Sequence, residues 1–303
     1  MPLRTPPIFA PQTLLEKLSF RLGIDDNTKK VATFTSLALP ELKKFAPDVV
    51  VAVNGDNQVK FLKKNLKNTK VVVFGHSGIG YHDQKNLNAN PDLFIVLSRE
   101  AETWATKIAS NKTKVIYIPN AVDVQRYSKA KAKKLHLPHP IVMVVGALSS
   151  YKNISMVIKG VSLTNASLLI IGDGEEQSKI SEELSRLVND FSWIRHVDPI
   201  DLPSYYKASD VFCFVPDPQE AFGLVYIEAM ATGLPIVASD DKVRRDIIGK
   251  KGIYVDPHEP ESISQGLIKA YGLGKVDYAS KLENYQIDKV VKKIEKAFYE
   301  LIK

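Results

Sequence analysis

The sequence predicts an α/β protein built as two doubly wound domains that face one another across a cleft. Three observations carry this prediction. Short runs rich in β-branched residues alternate with helical patterns along the chain, the order that builds parallel sheets with helices on both faces. Most of these runs are apolar nearly throughout, as strands covered on both sides are. The pattern breaks at residues 127–140, a stretch rich in Lys, Ala and Pro, and then restarts. The length of 303 residues fits two domains at about 150 residues each.

In order along the first half, strands are expected at 31–35, 48–53, 70–74, 93–97 and 114–118. Helices are expected at 12–22, where Leu14, Leu15 and Leu18 recur at helical spacing, and at 59–66 and 100–110. The stretch 127–140 lacks strand character and reads as the connection. This gives an N-terminal domain over 1–138 and a C-terminal domain over 139–303. The second half offers strands at 141–145, 167–171, 193–197, 211–215 and 236–238, with helices at 155–160, 175–188, 202–208 and 223–231. Two further helices close the chain at 262–271 and 288–302, the last expected to pack back on the N-terminal domain. In folds of this kind ligands bind beyond the carboxyl ends of the strands and in clefts between domains.

Bulk properties narrow the classes. Apolar residues make up 45% of the chain, ordinary for a globular protein, and no apolar run approaches the ~20 residues that cross a bilayer. The first residues, Met1 to Pro7, lack the apolar core of a secretory signal. The one cysteine, Cys213, lies in the run Val211-Phe212-Cys213-Phe214-Val215 and reads as a buried, inert thiol. With no disulfide possible within the chain, a reducing cytoplasm is expected. Net charge is +7 and unevenly placed: residues 1–138 hold 22 Lys and Arg against 11 Asp and Glu, the remainder 19 against 23. The basic half includes Lys60, Lys63, Lys64, Lys67 and Lys70. Such a run is either a solvated helix face or a surface drawn to an anionic membrane or charged acceptor. Nucleic acid is not an expected partner, because no stacking aromatics interleave with the lysines.

The chemistry concentrates in Pro216-Asp217-Pro218-Gln219-Glu220-Ala221-Phe222-Gly223-Leu224-Val225-Tyr226-Ile227-Glu228-Ala229-Met230-Ala231-Thr232-Gly233-Leu234-Pro235. A strand ends before Pro216, a loop carries Glu220, and a helix runs from Gly223 until Gly233 and Pro235 stop it. Gly223, Leu224 and Val225 then sit at a helix N-terminus, where free N–H groups and the helix dipole suit a diphosphate. Glu228 lies on the face of Leu224 and Val225, and its two carboxylate oxygens could accept two ribose hydroxyls. Glu220, ahead of the helix, could reach a sugar. The plainer alternative makes Glu228 a solvated helix residue and Glu220 a favourable charge near the first turn.

This segment resembles the E-x7-E signature of retaining GT-B glycosyltransferases of the family 4 type, the glycosyl transferases group 1. Glu220 and Glu228 have the spacing, and Phe222-Gly223-Leu224 and Glu228-Ala229-Met230-Ala231-Thr232-Gly233-Leu234-Pro235 carry the flanking composition. The resemblance implies a GT-B fold of two Rossmann-like domains. It implies that Glu228 holds the nucleotide ribose, that Glu220 contacts the donor sugar, and that Phe222, Gly223, Leu224 and Val225 line the phosphate end. Val144 to Asn153 looks like the strand and loop that open the donor domain, with Gly146 in the loop and Lys152 matching a lysine that neutralises the diphosphate. Ala147 stands where the family often has an arginine. Gly172-Asp173-Gly174 matches a further landmark and reads as a tight turn after a strand. Residues 195–199 fall where the family contacts the base.

The first half resembles the family more loosely, at Pro47 to Asn54 and at Ile116 to Asp123. Between them lies Val73-Phe74-Gly75-His76-Ser77-Gly78, and His76 falls where the family has a histidine that contacts the transferred sugar; His82 and Asp83 are weaker candidates. At the start, Ala10-Pro11 replaces the paired glycines of the family's loop, and the first strand is expected to be lacking or reduced. Proline has no N–H to give a phosphate. The resemblance implies hexosyl transfer from a nucleoside diphosphate sugar to a glycan or lipid-linked acceptor, without a metal or other cofactor. A cytoplasmic enzyme at the inner face of the cell membrane is the expected setting. The alternative is a catalytically weak or inactive protein that still binds a nucleotide sugar. A sugar-nucleotide epimerase or phosphorylase is a second rival, opposed by the E-x7-E context.

Overall fold

The computed structural model of the protein describes residues 26–303 apart from residue 54. The helix expected at 12–22 and the segment around Ala10-Pro11 lie outside the described residues.

The first unit runs α1 (Asp26–Phe45), β1 (Val49–Ala52), α2 (Asp56–Asn65), β2 (Lys70–Gly75), α3 (Tyr81–Asn88), β3 (Leu93–Val96), α4 (Arg99–Ile108) and β4 (Lys114–Tyr117). Its four strands form a parallel sheet in the order β1-β2-β3-β4. Strand alternation divides the core in two. Val71, Val73, Phe94 and Val96 face Leu62, Ala101 and Ala105, whereas Val72, Leu93 and Ile95 face the other way.

After α5 (Val124–Lys129) the second unit follows. It comprises β5 (Ile141–Val145), α6 (Ile154–Ser162), β6 (Ser167–Ile171), α7 (Gln177–Leu187), β7 (Phe191–Ile194), α8 (Leu202–Ala208) and β8 (Val211–Phe214). It continues through α9 (Leu224–Thr232), β9 (Ile236–Ser239), α10 (Lys242–Ile248), β10 (Ile253–Val255), α11 (Pro260–Tyr271), α12 (Ala279–Leu282) and α13 (Ile287–Ile302). The six strands are parallel in the order β10-β9-β8-β5-β6-β7. The strand order reverses between β5 and β8, so the crevice for a ligand opens beyond their carboxyl ends. α9 is buried along almost its whole length from Tyr226 to Thr232, the state of a helix apolar all round. It ends at Gly233, whose φ of 77° lets its N–H return to the carbonyls of Ala229 and Met230.

Three expected elements are corrected. The strand at 31–35 is part of α1. Val31, Thr33 and Thr35 favour strands, but the segment is helical and only Thr35 of the three is buried, beside α2. Thr35 there donates to the Val31 carbonyl at 2.7 Å and accepts from Gln58 at 3.2 Å. The strand at 193–197 lies at Phe191–Ile194, because pairing with β6 ends where Ile171 meets Ile194. The connection read at 127–140 does not start as irregular chain: Tyr127 is on α5 and buried in the second core. α3, α5, α10, α12 and β10 form where no element was expected. The final helix lies on the first sheet, with Val290, Ile294, Ala297 and Phe298 in one cluster with Val72, Leu93, Ile95 and Ile118.

Candidate functional site

The loop between β8 and α9 is tied down before it reaches Glu220. Asn153 Nδ2 donates to the Val215 carbonyl at 3.1 Å and to Asp217 Oδ1 at 2.8 Å. Ser239 Oγ donates to the Pro216 carbonyl at 2.7 Å. The Asp217 N–H reaches the Tyr151 carbonyl at 2.8 Å. Beneath the loop lies Arg244, only 1% exposed, with its guanidinium 3.5 Å from the Asp217 carbonyl. Its charge is met by Asp241 at 3.5 Å. The buried cation ties the loop at the Asp217 carbonyl, because a buried charge left without partners costs about 3–5 kcal/mol.

Glu220 is presented by this loop and forms an ion pair with Lys152. Both side chains are mostly buried, which raises the strength of their attraction above that of a surface pair. The Lys152 ammonium also lies 4.9 Å from the Tyr151 ring centre and 5.4 Å from that of Phe214. Lys152 comes from the short 3₁₀ turn after β5 and Glu220 from the loop after β8. The two predicted residues therefore meet at the point where the strand order reverses.

The start of α9 completes this end of the crevice. Gly223 adopts φ 84° and no side chain caps the helix. A Cβ on Gly223 would fall 2.6 Å from the Tyr226 ring, so the fold itself requires glycine there. The Tyr226 N–H reaches the Gly223 carbonyl at 3.0 Å, and the N–H groups of Leu224 and Val225 before it have no intrahelical carbonyl to meet. Phe222 behaves differently from the expectation. Its side chain is 2% exposed and packs edge-on against Tyr285 at 6.1 Å, and its N–H points to Glu220 Oε1 at 3.4 Å.

Gly146 contrasts with Gly172 and Gly174. A Cβ on Gly146 would meet nothing closer than Phe214, at 3.8 Å, an ordinary contact. The protein does not fill that space. On Gly172 a Cβ would fall 1.9 Å from the Gly146 carbonyl oxygen, and on Gly174 it would fall 2.5 Å from that of Leu148. These glycines let the two strand-end loops lie backbone against backbone, joined by Leu148 N–H to the Asp173 carbonyl at 3.0 Å.

Glu228 is 9% exposed, so it is not a solvated helix residue. The Tyr206 hydroxyl donates to its Oε2 at 2.7 Å. Burial pushes the Glu228 carboxyl above the ordinary carboxylate range; Tyr206, Tyr127 and the charge of Arg126 pull it back.

The first sheet supplies the opposite wall. His76 follows β2, stacks on Phe74 at 6.1 Å between ring centres, and has its pKa lowered by desolvation, which favours the neutral imidazole. The loop that carries it touches the Glu220 loop: a Cβ on Gly78 would fall 3.0 Å from the Ala221 Cβ. Asp83 lies under the same loop and accepts the Ser77 N–H at 3.1 Å.

The structure thus gathers Gly146, Lys152, Glu220 and the Gly223–Val225 helix start at one crevice end, with Glu228 a turn further along α9. His76 approaches from the first sheet through the Gly78–Ala221 contact. Sequence reasoning missed Tyr206, Tyr127, Asn153 and Arg244. Asp241 as an N-cap, accepting the Arg244 N–H at 2.9 Å, was the one local signal that could have located α10 and Arg244.

Two facing parallel α/β units with a nucleotide-type crevice at the strand reversal define the GT-B class. The chain matches the glycosyl transferases group 1 family over residues 126–289 and belongs to that family. It is 30% identical over 154 residues to an uncharacterised glycosyltransferase of Haemophilus influenzae, covering 48% of this chain and 41% of that protein. It is 26% identical over 183 residues to the phosphatidyl-myo-inositol mannosyltransferase of Mycobacterium leprae, covering 57% and 48%. The matched region therefore spans less than half of each of these relatives. Among solved structures, the Anabaena protein HepE in complex with UDP and glucose superposes with a TM-score of 0.70 at 20% identity, covering 89% of this chain and 81% of that one. A sucrose-phosphate synthase from Thermosynechococcus elongatus gives 0.74 at 20% identity, covering 90% and 78%. These likenesses establish the fold. Among the described residues no helix is long and apolar enough to cross a membrane.

Proposed function

We propose that the chain is a retaining, metal-independent hexosyltransferase of the family 4 type, moving a hexosyl group from a nucleoside diphosphate sugar to a glycan or lipid-linked acceptor. The observation that carries this reading is the meeting of Lys152 and Glu220 beside the uncapped N-terminus of α9. In the transfer, the bond from the anomeric carbon to the diphosphate oxygen breaks. A bond to the acceptor oxygen forms, and the acceptor gives up its proton. Negative charge grows on the departing diphosphate. Lys152 and the N–H groups of Leu224 and Val225 are fixed donors aimed at that charge, and fixed donors need no reorganisation as it develops. Gly146 leaves room for the diphosphate to approach the backbone. Glu220 lies beside Lys152 and takes hydroxyls of the donor sugar, Glu228 takes the ribose, and a neutral His76 meets the transferred sugar from the opposite wall. The lysine and the helix start supply the positive potential that the departing diphosphate needs.

The relatives that act on phosphatidyl-inositol motivate a lipid-linked acceptor, and the net positive first half fits work at the cytoplasmic face of an anionic membrane. The test is binding and turnover with purified protein. UDP, GDP and ADP are screened by thermal shift, since a ligand of the native state raises its stability. Glu228→Ala should weaken nucleotide binding about 10- to 100-fold, the loss of one or two hydrogen bonds to a charged group. Glu220→Ala should leave nucleotide affinity within a few-fold and lower turnover by about 100-fold or more. Unchanged kinetics in both variants would remove the site assignment. Titratable nucleotide binding with no turnover would favour a binding protein instead. A protein that does not sediment with anionic vesicles at low salt has no membrane role of this kind.

A further inference from the structure

Glu228 is a buried carboxylate of the crevice, and two tyrosines from separate helices lie beside it. Tyr206, on α8, is fully buried and donates to Glu228 Oε2 at 2.7 Å. Tyr127, on α5, is also buried, and its hydroxyl acts on the same carboxylate. The two rings meet edge-on, with centres 5.8 Å apart at 67°. Tyr206 is braced in turn by Phe212, 5.6 Å away. Tyr127 is held by the α5 cap, where Asp123 accepts the Arg126 N–H at 3.0 Å. Arg126 itself lies 5.4 Å from the Tyr127 ring centre. Neither tyrosine belongs to the E-x7-E segment, and α5 precedes the second sheet altogether.

We infer that Tyr127 and Tyr206 are positioning residues, a two-hydroxyl clamp that aims the Glu228 carboxylate at the ribose of the donor. This inference rests on the nucleotide-sugar reading of the site. A carboxylate is an acceptor with two oxygens and about four acceptor directions. With the tyrosines held on one side, the remaining directions point away from them. A ribose offers two adjacent hydroxyl donors, which that arrangement fits. Both tyrosines keep their protons, since burial and the nearby Glu228 raise their own pKa values. They can therefore only donate to a charged Glu228. Besides these two hydroxyls, the charged group acting on Glu228 is Arg126 of α5, and it works in the same direction. Removing a hydroxyl leaves a buried carboxylate with less support, and its proton is then held up to a higher pH.

The test is Tyr206→Phe, Tyr127→Phe and the double variant, each titrated with UDP, GDP and ADP from pH 5 to pH 8. Tyr206→Phe should weaken binding of the best nucleotide about tenfold at the acid end of this range and only a few-fold at its alkaline end, with the acid limb moved upward; the double variant should move it further. Because Phe keeps the ring, the packing of the core is retained. A ligand-free readout runs in parallel. The stability of Tyr206→Phe relative to wild type should fall as pH rises through the Glu228 ionisation, and this slope should vanish in a Glu228→Gln background. A loss equal at every pH, or no loss, overturns the clamp. If wild type binds no nucleotide, or Glu228→Ala binds as wild type does, the donor-site reading fails first and the ribose role with it. If those two controls behave as expected and only the tyrosine variants fail to move the acid limb, the clamp alone is wrong.

Discussion

Two buried carboxylates, Asp83 and Glu228, are stabilised by different partners. Glu228 has hydroxyls and a neighbouring arginine. Asp83, 2% exposed, has the N–H groups of Ser77 and Gly78 and the Asn86 amide. Burial outweighs these and pushes the Asp83 carboxyl up to about 6. Its neighbours leave no room for another group: a Cβ on Gly75 would fall 2.9 Å from Oδ2. The folded pKa lies above the unfolded value of 3.8, so the folded protein holds this proton more tightly. Its contribution to stability is therefore present below pH 4 and is lost as pH rises to about 6, after which it is level. Two pKa units correspond to about 3 kcal/mol. Asp83→Asn cannot titrate, so the melting temperature of wild type minus that of Asp83→Asn should fall between pH 4 and pH 6 and then hold steady. A difference that is constant from pH 4 to pH 8 would show that Asp83 is not the titrating group under the His76 loop.

Among the elements, the strand-end loops of β5 and β6 separate a glycine the fold needs from one the ligand needs. Gly172 has φ 146° and faces the Gly146 carbonyl, so Gly172→Ala must push the two loops apart. Strain and overpacking together put the loss at about 2–5 kcal/mol. Gly146→Ala meets only Phe214 at 3.8 Å and should melt within a degree or two of wild type, yet bind nucleotide more weakly. Calorimetry and titration on the two variants check this. Equal melting temperatures would contradict the close approach, and unaltered nucleotide affinity in Gly146→Ala would contradict a diphosphate at that loop. Elements of this kind were legible because their signals are local. The apolar runs gave nine of the ten described strands, two of them short or shifted, and Gly233 with Pro235 marked the end of α9. Glu220 and Glu228 were legible for the same reason, as spacing within one loop and helix. Tyr127 and Tyr206 were not, since their contacts to Glu228 cross 101 and 22 residues of chain and follow from packing alone. α1 was misread because Val31, Thr33 and Thr35 favour strands, whereas Thr35 is tied within a helix to the Val31 carbonyl and to Gln58 of α2, and β10 spans only three residues, too few to leave a period.

At the scale of the whole molecule, the chain returns to where it began. After the second sheet is complete, α13 crosses to the first and covers one face of it. Val290, Ile294, Ala297, Phe298 and Leu301 recur at helical spacing and pack on Val72, Leu93, Ile95 and Ile118. The approach is pinned at both ends of the helix. The Val122 N–H donates to the Tyr285 carbonyl at 3.0 Å just before the helix, and Lys114 meets Glu300 at 3.0 Å near its end. Without this cover, the first sheet would leave an apolar face open, and each large side chain uncovered costs about 1.5–3 kcal/mol. The second sheet has its own separate core and does not depend on α13 in this way. Val290→Asp places an unpaired charge in the contact, where it must either stay buried at a cost of several kcal/mol or lift the helix away. Hydrogen exchange should then show the amides of β2 and β3 losing protection, while those of β5, β6 and β8 keep most of theirs. His76 rides on the loop after β2, so turnover should fall further than nucleotide affinity in the same variant. If β5 and β6 lose protection together with β2 and β3, the two units unfold as one. In that case α13 would be a brace of the whole protein rather than the missing layer of its first sheet.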